Sequence, residues 1–237
     1  MLLLTVLLIT VASGARADGG ADGVLPNESS NFHGFMSSPP SRAKLCQLRV
    51  NRDCGGIIYE PQSIEGHKGF PDSPRSPADG QIASANNERF SKLNEYGKDR
   101  WTSVDFPTLS RYDDSSVYFN FNWTMTAPHS TDSIRVFVSN EHYNTEEPLS
   151  RKHLDLNPIC KVDFHGQRPP RDLSLACPIT EEKFEELKGL RELLMLSIWD
   201  INDTVNAFYQ VVDLLPIPES VTFDSIQRRS KDVADVV

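Results

Sequence analysis

The stretch Val117-Tyr-Phe-Asn-Phe-Asn-Trp-Thr-Met125 alternates strictly between large apolar and polar side chains. Five apolar residues fall on one side of an extended chain: Val117, Phe119, Phe121, Trp123 and Met125. A period of two predicts a β-strand with one face in the core and the other in solvent, as in an antiparallel sheet.

Other apolar runs predict further elements around this strand. Glu181 to Gly189 predicts a short helix, with Phe184 and Leu187 at helical spacing. Strands are predicted in four more runs: Leu45–Val50, Ile134–Val138, Leu193–Trp199 and Ala207–Leu215. Short strands separated by turn signals predict a mainly β fold, an immunoglobulin- or fibronectin-like antiparallel β-sandwich.

The segment from Asn51 to Lys98 has frequent Gly and Pro and little periodicity. A connection of this length inside a compact domain is uncommon and usually functional. We therefore expect a large ordered insertion with short helical turns near Pro61–Glu65 and Glu88–Leu93.

The first residues carry an export signal. Residues 1–11 are almost wholly apolar, and Ala15-Arg-Ala17 supplies the small residues of a signal-peptidase site. We predict a signal peptide over 1–17, a disordered spacer or propeptide over 18–32, one domain over 33–215 and a flexible tail over 216–237. The protein is expected to be secreted and extracellular.

The net charge limits the classes of binding partner, and the cysteine content predicts disulfides. The formal net charge is −9, without a block of Lys or Arg, which argues against nucleic acid and membrane surfaces as partners. Four cysteines in a secreted chain predict two disulfides with three conceivable pairings, of which Cys46–Cys54 and Cys160–Cys177 close the shortest loops. A site with four thiolates holding zinc is the alternative, but the chain has no Cys-x-x-Cys pair.

Two histidines are candidate metal ligands, His33 before the first predicted strand and His129 in a Pro-containing turn after Met125. If the mature chain began at His33, its α-amine and ring Nδ1 could chelate one ion, and His129 would add a third nitrogen. Three nitrogen donors favour copper, with zinc as the second choice.

Several stretches together resemble a lytic polysaccharide monooxygenase of the bacterial chitin-binding-protein type. They run in that family's order from His33 to Asp213 and include His33-Gly-Phe35, Ser41-Arg42, Asn51-Arg-Asp-Cys-Gly-Gly56, Tyr59-Glu-Pro-Gln-Ser-Ile-Glu-Gly66, Lys68-Gly-Phe-Pro71, Pro77–Ala85, Arg100-Trp101, Thr126-Ala-Pro-His-Ser-Thr131, Asp155–Cys160 and Trp199–Tyr209. The cysteine spacing also matches the two local disulfides of that family.

The resemblance implies a role for each of these positions. His33 and His129 would hold copper, Phe208 would fill one axial side, and Ala127 would flank the other. Glu65 would position an oxygen species and give a proton. A flat face that meets the polysaccharide would contain the remaining four residues, Tyr59, Glu60, Asp203 and Asn206. Trp199 would lie in the core near the metal, as plain packing or as a redox relay.

The resemblance further implies an activity and its partners. The expected function is oxidative cleavage of crystalline chitin, with cellulose as the other polymer, by an enzyme that needs O2 or hydrogen peroxide and an external electron donor. We expect a monomer. Because residues 18–32 precede His33, its α-amine exists only after further trimming, so a non-catalytic chitin-binding or adhesive protein of the same fold remains the alternative. A serine hydrolase is disfavoured, since the chain has no Gly-x-Ser-x-Gly motif.

Three glycosylation sequons begin at Asn27, Asn122 and Asn202. The strand alternation predicts that Asn122 points outward, where a glycan fits. A glycan on Asn202 would lie beside the expected binding face, so we predict that this site is unoccupied.

Overall fold

A computed structural model describes residues 33–107, 109–111 and 117–226. The strands in this part of the chain are β1 (His33–Ser38), β2 (Glu65–His67), β3 (Leu109–Arg111), β4 (Val117–Ala127), β5 (Thr131–Val138), β6 (Cys160–Asp163), β7 (Asp172–Ile179), β8 (Leu193–Ile201) and β9 (Asn206–Leu214). The helices are α1 (Arg42–Gln47), α2 (Glu181–Lys188) and short 3-10 helices at Gly55–Tyr59, Glu88–Asn94 and Arg151–His153. The predicted signal peptide, spacer and first sequon lie outside the described residues.

The strands form two antiparallel sheets. In the first, the long strand β4 pairs with β7 along one edge and with both β1 and β3 along the other. The second has the order β2-β9-β8-β5-β6. The predicted β-sandwich is therefore confirmed.

The main core lies between the sheets and is built from the alternation of β4. Its five apolar side chains are at most 1% exposed, whereas Asn122 on the other face is only partly covered. They pack against the facing side of the five-stranded sheet, which contributes Val136, Trp199 and Phe208 among others.

The central strands β8 and β9 of the five-stranded sheet are buried on both faces. All nine residues of β8 are buried, because the insertion covers the face that points away from β4. On that side Leu196, Ile198 and Tyr209 pack against residues of the insertion, including Ile57, Ile64, Phe70 and Phe90. The long segment without periodicity is thus an ordered second layer rather than a loose loop.

Three local predictions are wrong. The predicted strand Leu45–Val50 is the end of helix α1 and the turn after it, and Ser41 caps this helix by accepting a hydrogen bond at Oγ from Lys44 N (3.2 Å). The first helical turn of the insertion is at Gly55–Tyr59 instead of Pro61–Glu65, while Glu88–Asn94 is helical as predicted.

The third error concerns the tail. Ile217, Phe223 and Ile226 are 5%, 7% and 9% exposed and belong to the main core. A flexible tail therefore does not begin at residue 216, because these apolar side chains are packed in the main core. Residues beyond Ile226 lie outside the described part.

Both local disulfides are present. Cys46–Cys54 ties α1 to the start of the 3-10 helix at Gly55, and Cys160–Cys177 joins β6 of one sheet to β7 of the other. The four-thiolate zinc alternative is thereby excluded.

No helix among the described residues is long and apolar enough to cross a membrane.

Candidate metal centre and substrate face

His33 is the first residue of β1, although the sequence around it has no strand pattern. It lies opposite Ala127 at the end of β4, and the hydroxyl of Thr126 donates a hydrogen bond to His33 O (3.0 Å). The next residue, Gly34, leaves no room for a side chain, since a methyl group there would lie 2.9 Å from Met125 Sδ and 3.1 Å from Trp199 Cζ3. Close packing beneath β1 therefore fixes where His33 lies.

His129 lies in the turn between β4 and β5 and is 8% exposed. The turn is held by a short relay of hydrogen bonds, in which Trp199 Nε1 donates to Thr131 Oγ1 (2.8 Å) and that hydroxyl donates to His129 O (3.1 Å). Thr131 is fully buried. A core tryptophan thus fixes the backbone that carries the second histidine.

Phe208 lies beside both histidines. Its ring centroid is 6.0 Å from that of His33, with the rings perpendicular, and 6.0 Å from that of His129. It also stacks on Trp199, with 5.0 Å between the ring centroids. Both aromatic side chains are fully buried, so one side of the histidine pair is apolar and dry.

The two imidazoles are suited to bind a metal ion. Burial lowers the pKa of His33 and of His129, against the opposing charges of nearby carboxylates such as Glu65. Both rings are therefore neutral at physiological pH, the form that donates a nitrogen lone pair. His33 Nδ1 is buried and has no hydrogen-bond partner, an uncompensated cost that a bound metal would remove.

No group of three or more His, Cys, Asp or Glu side chains in the described ranges could hold a metal ion. The α-nitrogen of His33 is the candidate third donor for the two histidines. The donor set therefore fits copper held by two imidazoles and the nitrogen of His33, provided that this nitrogen is a free amine.

Glu65 is brought to the same site by strand pairing, since β2 places it opposite Phe208 of β9. Its Oε1 accepts a hydrogen bond from Asn206 Nδ2 (2.9 Å). Asn206, which the resemblance places on the substrate face, therefore also orients the expected acid.

The other residues expected on the face differ in exposure and in their contacts. Tyr59 is 73% exposed, more than any other large hydrophobic residue described. Glu60 pairs with Arg89. Asp203 is about half exposed and its Oδ1 lies 3.7 Å from His129 Nδ1.

Sequence reasoning missed the supports of the site. Thr126 and Thr131 hold the two histidine backbones, and Arg89 holds Glu60. Both threonines stand in the stretch Thr126–Thr131 that was singled out for His129, so polar residues that bracket a candidate ligand were the available signal.

The family model described as "Lytic polysaccharide mono-oxygenase, cellulose-degrading" matches residues 33–214. The chain belongs to the lytic polysaccharide monooxygenase family. The match begins at His33, the first of the two candidate ligands.

Members of this monooxygenase family with solved structures share the fold. An AA10 enzyme from Photorhabdus luminescens is 34% identical, with a TM-score of 0.67 over 77% of this chain and 98% of that one. The CBM33 protein of Bacillus amyloliquefaciens, solved in complex with Cu(I), is 29% identical, with a TM-score of 0.64 over 77% of this chain and 99% of that one.

A longer relative of this monooxygenase chain is the GlcNAc-binding protein A of Shewanella oneidensis. It is 36% identical over 194 residues, which are 82% of this chain and 38% of that protein. The chain thus spans less than two-fifths of the length of this relative.

Proposed function

We propose that the chain is a secreted, copper-dependent monooxygenase that cleaves the glycosidic bonds of crystalline chitin by oxidation. The observation that carries this proposal is the pair His33 and His129 beside buried Phe208, with His33 Nδ1 buried and unpartnered. The copper in the related Bacillus protein supports the choice of metal.

The chain's own groups would hold the ion with three nitrogens. Two are imidazole nitrogens, from His33 Nδ1 and from the ring of His129, and the third is the α-amine of His33. That amine requires cleavage of the bond between Phe32 and His33, and the family match that begins at His33 supports such trimming. Copper bound there, and reduced by an external donor, would supply the activation of O2 or hydrogen peroxide.

Other residues define the space around the ion. Phe208 keeps water and polar ligands from one side, since its ring is fully buried against Trp199. Glu65 holds its carboxyl group at the site through the amide of Asn206, so a proton can be given or taken at Glu65 Oε. Hydrogen bonds from Thr126 to His33 O and from Thr131 to His129 O fix the two backbones, and so limit where the two rings can lie.

Chitin is the polymer that best suits the exposed groups. A crystalline polymer cannot enter a pocket, so an enzyme has to meet it with a flat surface. Tyr59 offers one exposed ring, and Glu60, Asp203 and Asn206 offer carboxylate and amide groups for the hydroxyls and acetamides of N-acetylglucosamine. The name of the Shewanella relative favours this sugar, although the description of the family model names cellulose.

One observation favours a second candidate, a chitin-binding or adhesive protein without oxidation. The sequence has fifteen residues (18–32) between the predicted signal cleavage site and His33. If they remain, the nitrogen of His33 is an amide and cannot act as an amine ligand. Two relatives, both named GlcNAc-binding protein A, are also consistent with a binding function.

Mass spectrometry of the mature N-terminus and titration with Cu(II) decide between the two. We expect native material to start at His33 and to bind one Cu(II) tightly. His129→Ala should abolish both tight Cu(II) binding and oxidised oligosaccharides while most chitin binding remains, because the ligand is lost but the face is kept. His142→Ala, at an exposed histidine, is the matched control.

Unchanged product yield in His129→Ala would remove the copper role of His129. A native chain that starts at Asp18 and binds no Cu(II) would leave only the binding function.

A further inference from the structure

Tyr59 and Glu60 on the substrate face are each contacted by an arginine from a neighbouring segment. The guanidinium carbon of Arg49 lies 6.0 Å from the ring centroid of Tyr59. Arg89 Nη2 forms an ion pair with Glu60 Oε1. Arg49 belongs to the loop closed by the Cys46–Cys54 disulfide, and Arg89 belongs to the 3-10 helix Glu88–Asn94.

The backbone of Arg49 is unusual for a residue with a side chain. Arg49 follows the C-cap of α1 and has a φ of +62°, in the left-handed region. Its N–H donates to Cys46 O (3.0 Å) and the next N–H, of Val50, donates to Leu45 O (3.0 Å), the pattern of a Schellman helix end. Glycine is the common residue at this position, because it takes a positive φ without strain.

The chain therefore keeps an arginine where folding alone favours glycine. A residue that breaks a local rule without a structural gain points to function. The only aromatic face that Arg49 reaches among the described contacts is the exposed ring of Tyr59. A cation over a tyrosine ring attracts it and restricts its motion.

Arg89 is held toward Glu60 by its own helix. Asn87 caps that helix by accepting a hydrogen bond at Oδ1 from Arg89 N (3.1 Å), and the helix is anchored by the buried Phe90 and Leu93. The side chain of Arg89 is 64% exposed, whereas that of Glu60 is 30% exposed. The pair thus lies at the surface and presents a carboxylate that is already neutralised.

Charge on the face follows from this pairing. The chain has a net charge of −9, and three acids lie at the site: Glu60, Glu65 and Asp203. Arg89 pairs with Glu60, Arg49 adds a positive charge beside Tyr59, and the charge of Arg168 acts on His129. Such a surface suits an uncharged, N-acetylated polymer better than its deacetylated, cationic form.

We propose that Arg49 and Arg89 are positioning residues of the substrate face: they fix the Tyr59 ring and the Glu60 carboxylate, and they bias the face toward acetylated over deacetylated chitin. This inference rests on the proposed function of the face in binding chitin.

The test compares binding of the mature chain to chitin and to chitosan. Arg49→Gly should bind chitin about two- to five-fold more weakly, the size of an exposed cation–π contact. Its melting temperature should be equal or higher, since glycine removes the left-handed strain. Arg52→Gln, in the same loop and exposed, should leave both measurements unchanged.

Arg89→Gln should bind chitin up to about five-fold more weakly, as expected for an exposed ion pair. Binding to chitosan should become tighter, because Glu60 is left as a free carboxylate. Arg49→Lys and Arg89→Lys should recover much of the chitin affinity, which a purely structural role would not predict.

Two outcomes separate this inference from the proposed function. If Tyr59→Ala weakens chitin binding but Arg49→Gly and Arg89→Gln bind both polymers as the unmodified chain does, the positioning role is wrong and the face stands. If Tyr59→Ala also binds as before, the face itself is assigned wrongly and both proposals lose their substrate surface.

Discussion

Gly66 is the residue at which strand β2 packs against the backbone of Ala85, a later part of the same insertion. A methyl group built on Gly66 would lie 2.2 Å from the carbonyl oxygen of Ala85, a backbone atom that cannot turn away. Glu65 precedes this glycine, so any shift of β2 moves the candidate acid. The spacing between two backbones is thereby linked to the geometry of the site.

We expect Gly66→Ala to lower the free energy of unfolding by about 1–3 kcal/mol, the usual cost of forcing an atom into a packed region. It should also lower the yield of oxidised products, because Glu65 is displaced. Thermal unfolding and product analysis measure the two effects. The matched control is Gly56→Ala, where a methyl group meets nothing within 4 Å; equal stability of the two variants would contradict the packing argument.

At the residue level, the sequence identified candidate ligands but not the residues that hold them in place. His33, His129 and Glu65 were predicted because motifs carry them. The position of Thr131 beside His129 suggests a supporting role, but its partner Trp199 could not be named, because their hydrogen bond spans 68 residues and depends on how β5 pairs with β8. No local pattern fixes that register.

At the level of elements, the Cys160–Cys177 disulfide has a distinct position, since it joins one sheet to the other. It closes a loop with a sequence separation of 17 residues. We expect the double variant Cys160→Ala/Cys177→Ala to lose about 2–4 kcal/mol of unfolding free energy, because the unfolded chain gains freedom.

This double variant should still bind Cu(II), since Cys177 lies opposite Phe119, near the end of β4 that is remote from Ala127. Denaturant unfolding and metal titration test the two statements. Loss of Cu(II) binding in a folded double variant would show that the disulfide also supports the metal centre.

The sequence predicts a strand well where one face of it is buried and the other is exposed to solvent. Strand β4 meets that condition, and its alternation identified it. Helix α1 was missed although its signals are present, namely Ser41 as N-cap followed by Ala43, Lys44 and Leu45, which all favour a helix. Strand β1 has Gly and Ser in place of alternation, because it is fixed by pairing with β4 rather than by its own pattern.

At the level of the whole molecule, the central strands of the second sheet are buried on both faces. This explains why their sequences do not show which face meets the main core. Strand β8 carries no alternation, since both faces are covered. The insertion that supplies Tyr59, Glu60 and Glu65 is bound to this sheet through its own core, which includes Ile57 and Ile64. The residues proposed for the substrate face are therefore anchored by a buried core, although the segments that carry them are largely irregular.

A titratable group away from the candidate metal centre is His153, in the short helix Arg151–His153. His153 is fully buried, with Nδ1 accepting from Ser150 N (3.2 Å) and Nε2 lying 3.5 Å from Glu147 Oε2. Its pKa is lowered by burial and then by the charge of Lys152, against the opposing effects of Glu147 and Asp79. The ring of Tyr143 also packs against it.

Because the unfolded chain binds this proton more readily than the folded one, His153 contributes stability above pH 6.5 that is lost as the pH falls toward its lowered pKa. We expect the free energy of unfolding to decline from about pH 7 to pH 5.5, above the range in which carboxylates titrate.

His153→Asn should be less stable at pH 7.5, where its smaller side chain leaves a void, but should show a shallower decline. His142→Asn serves as the exposed control with an unchanged profile. A decline as steep in His153→Asn as in the unmodified chain would assign the pH dependence to other groups.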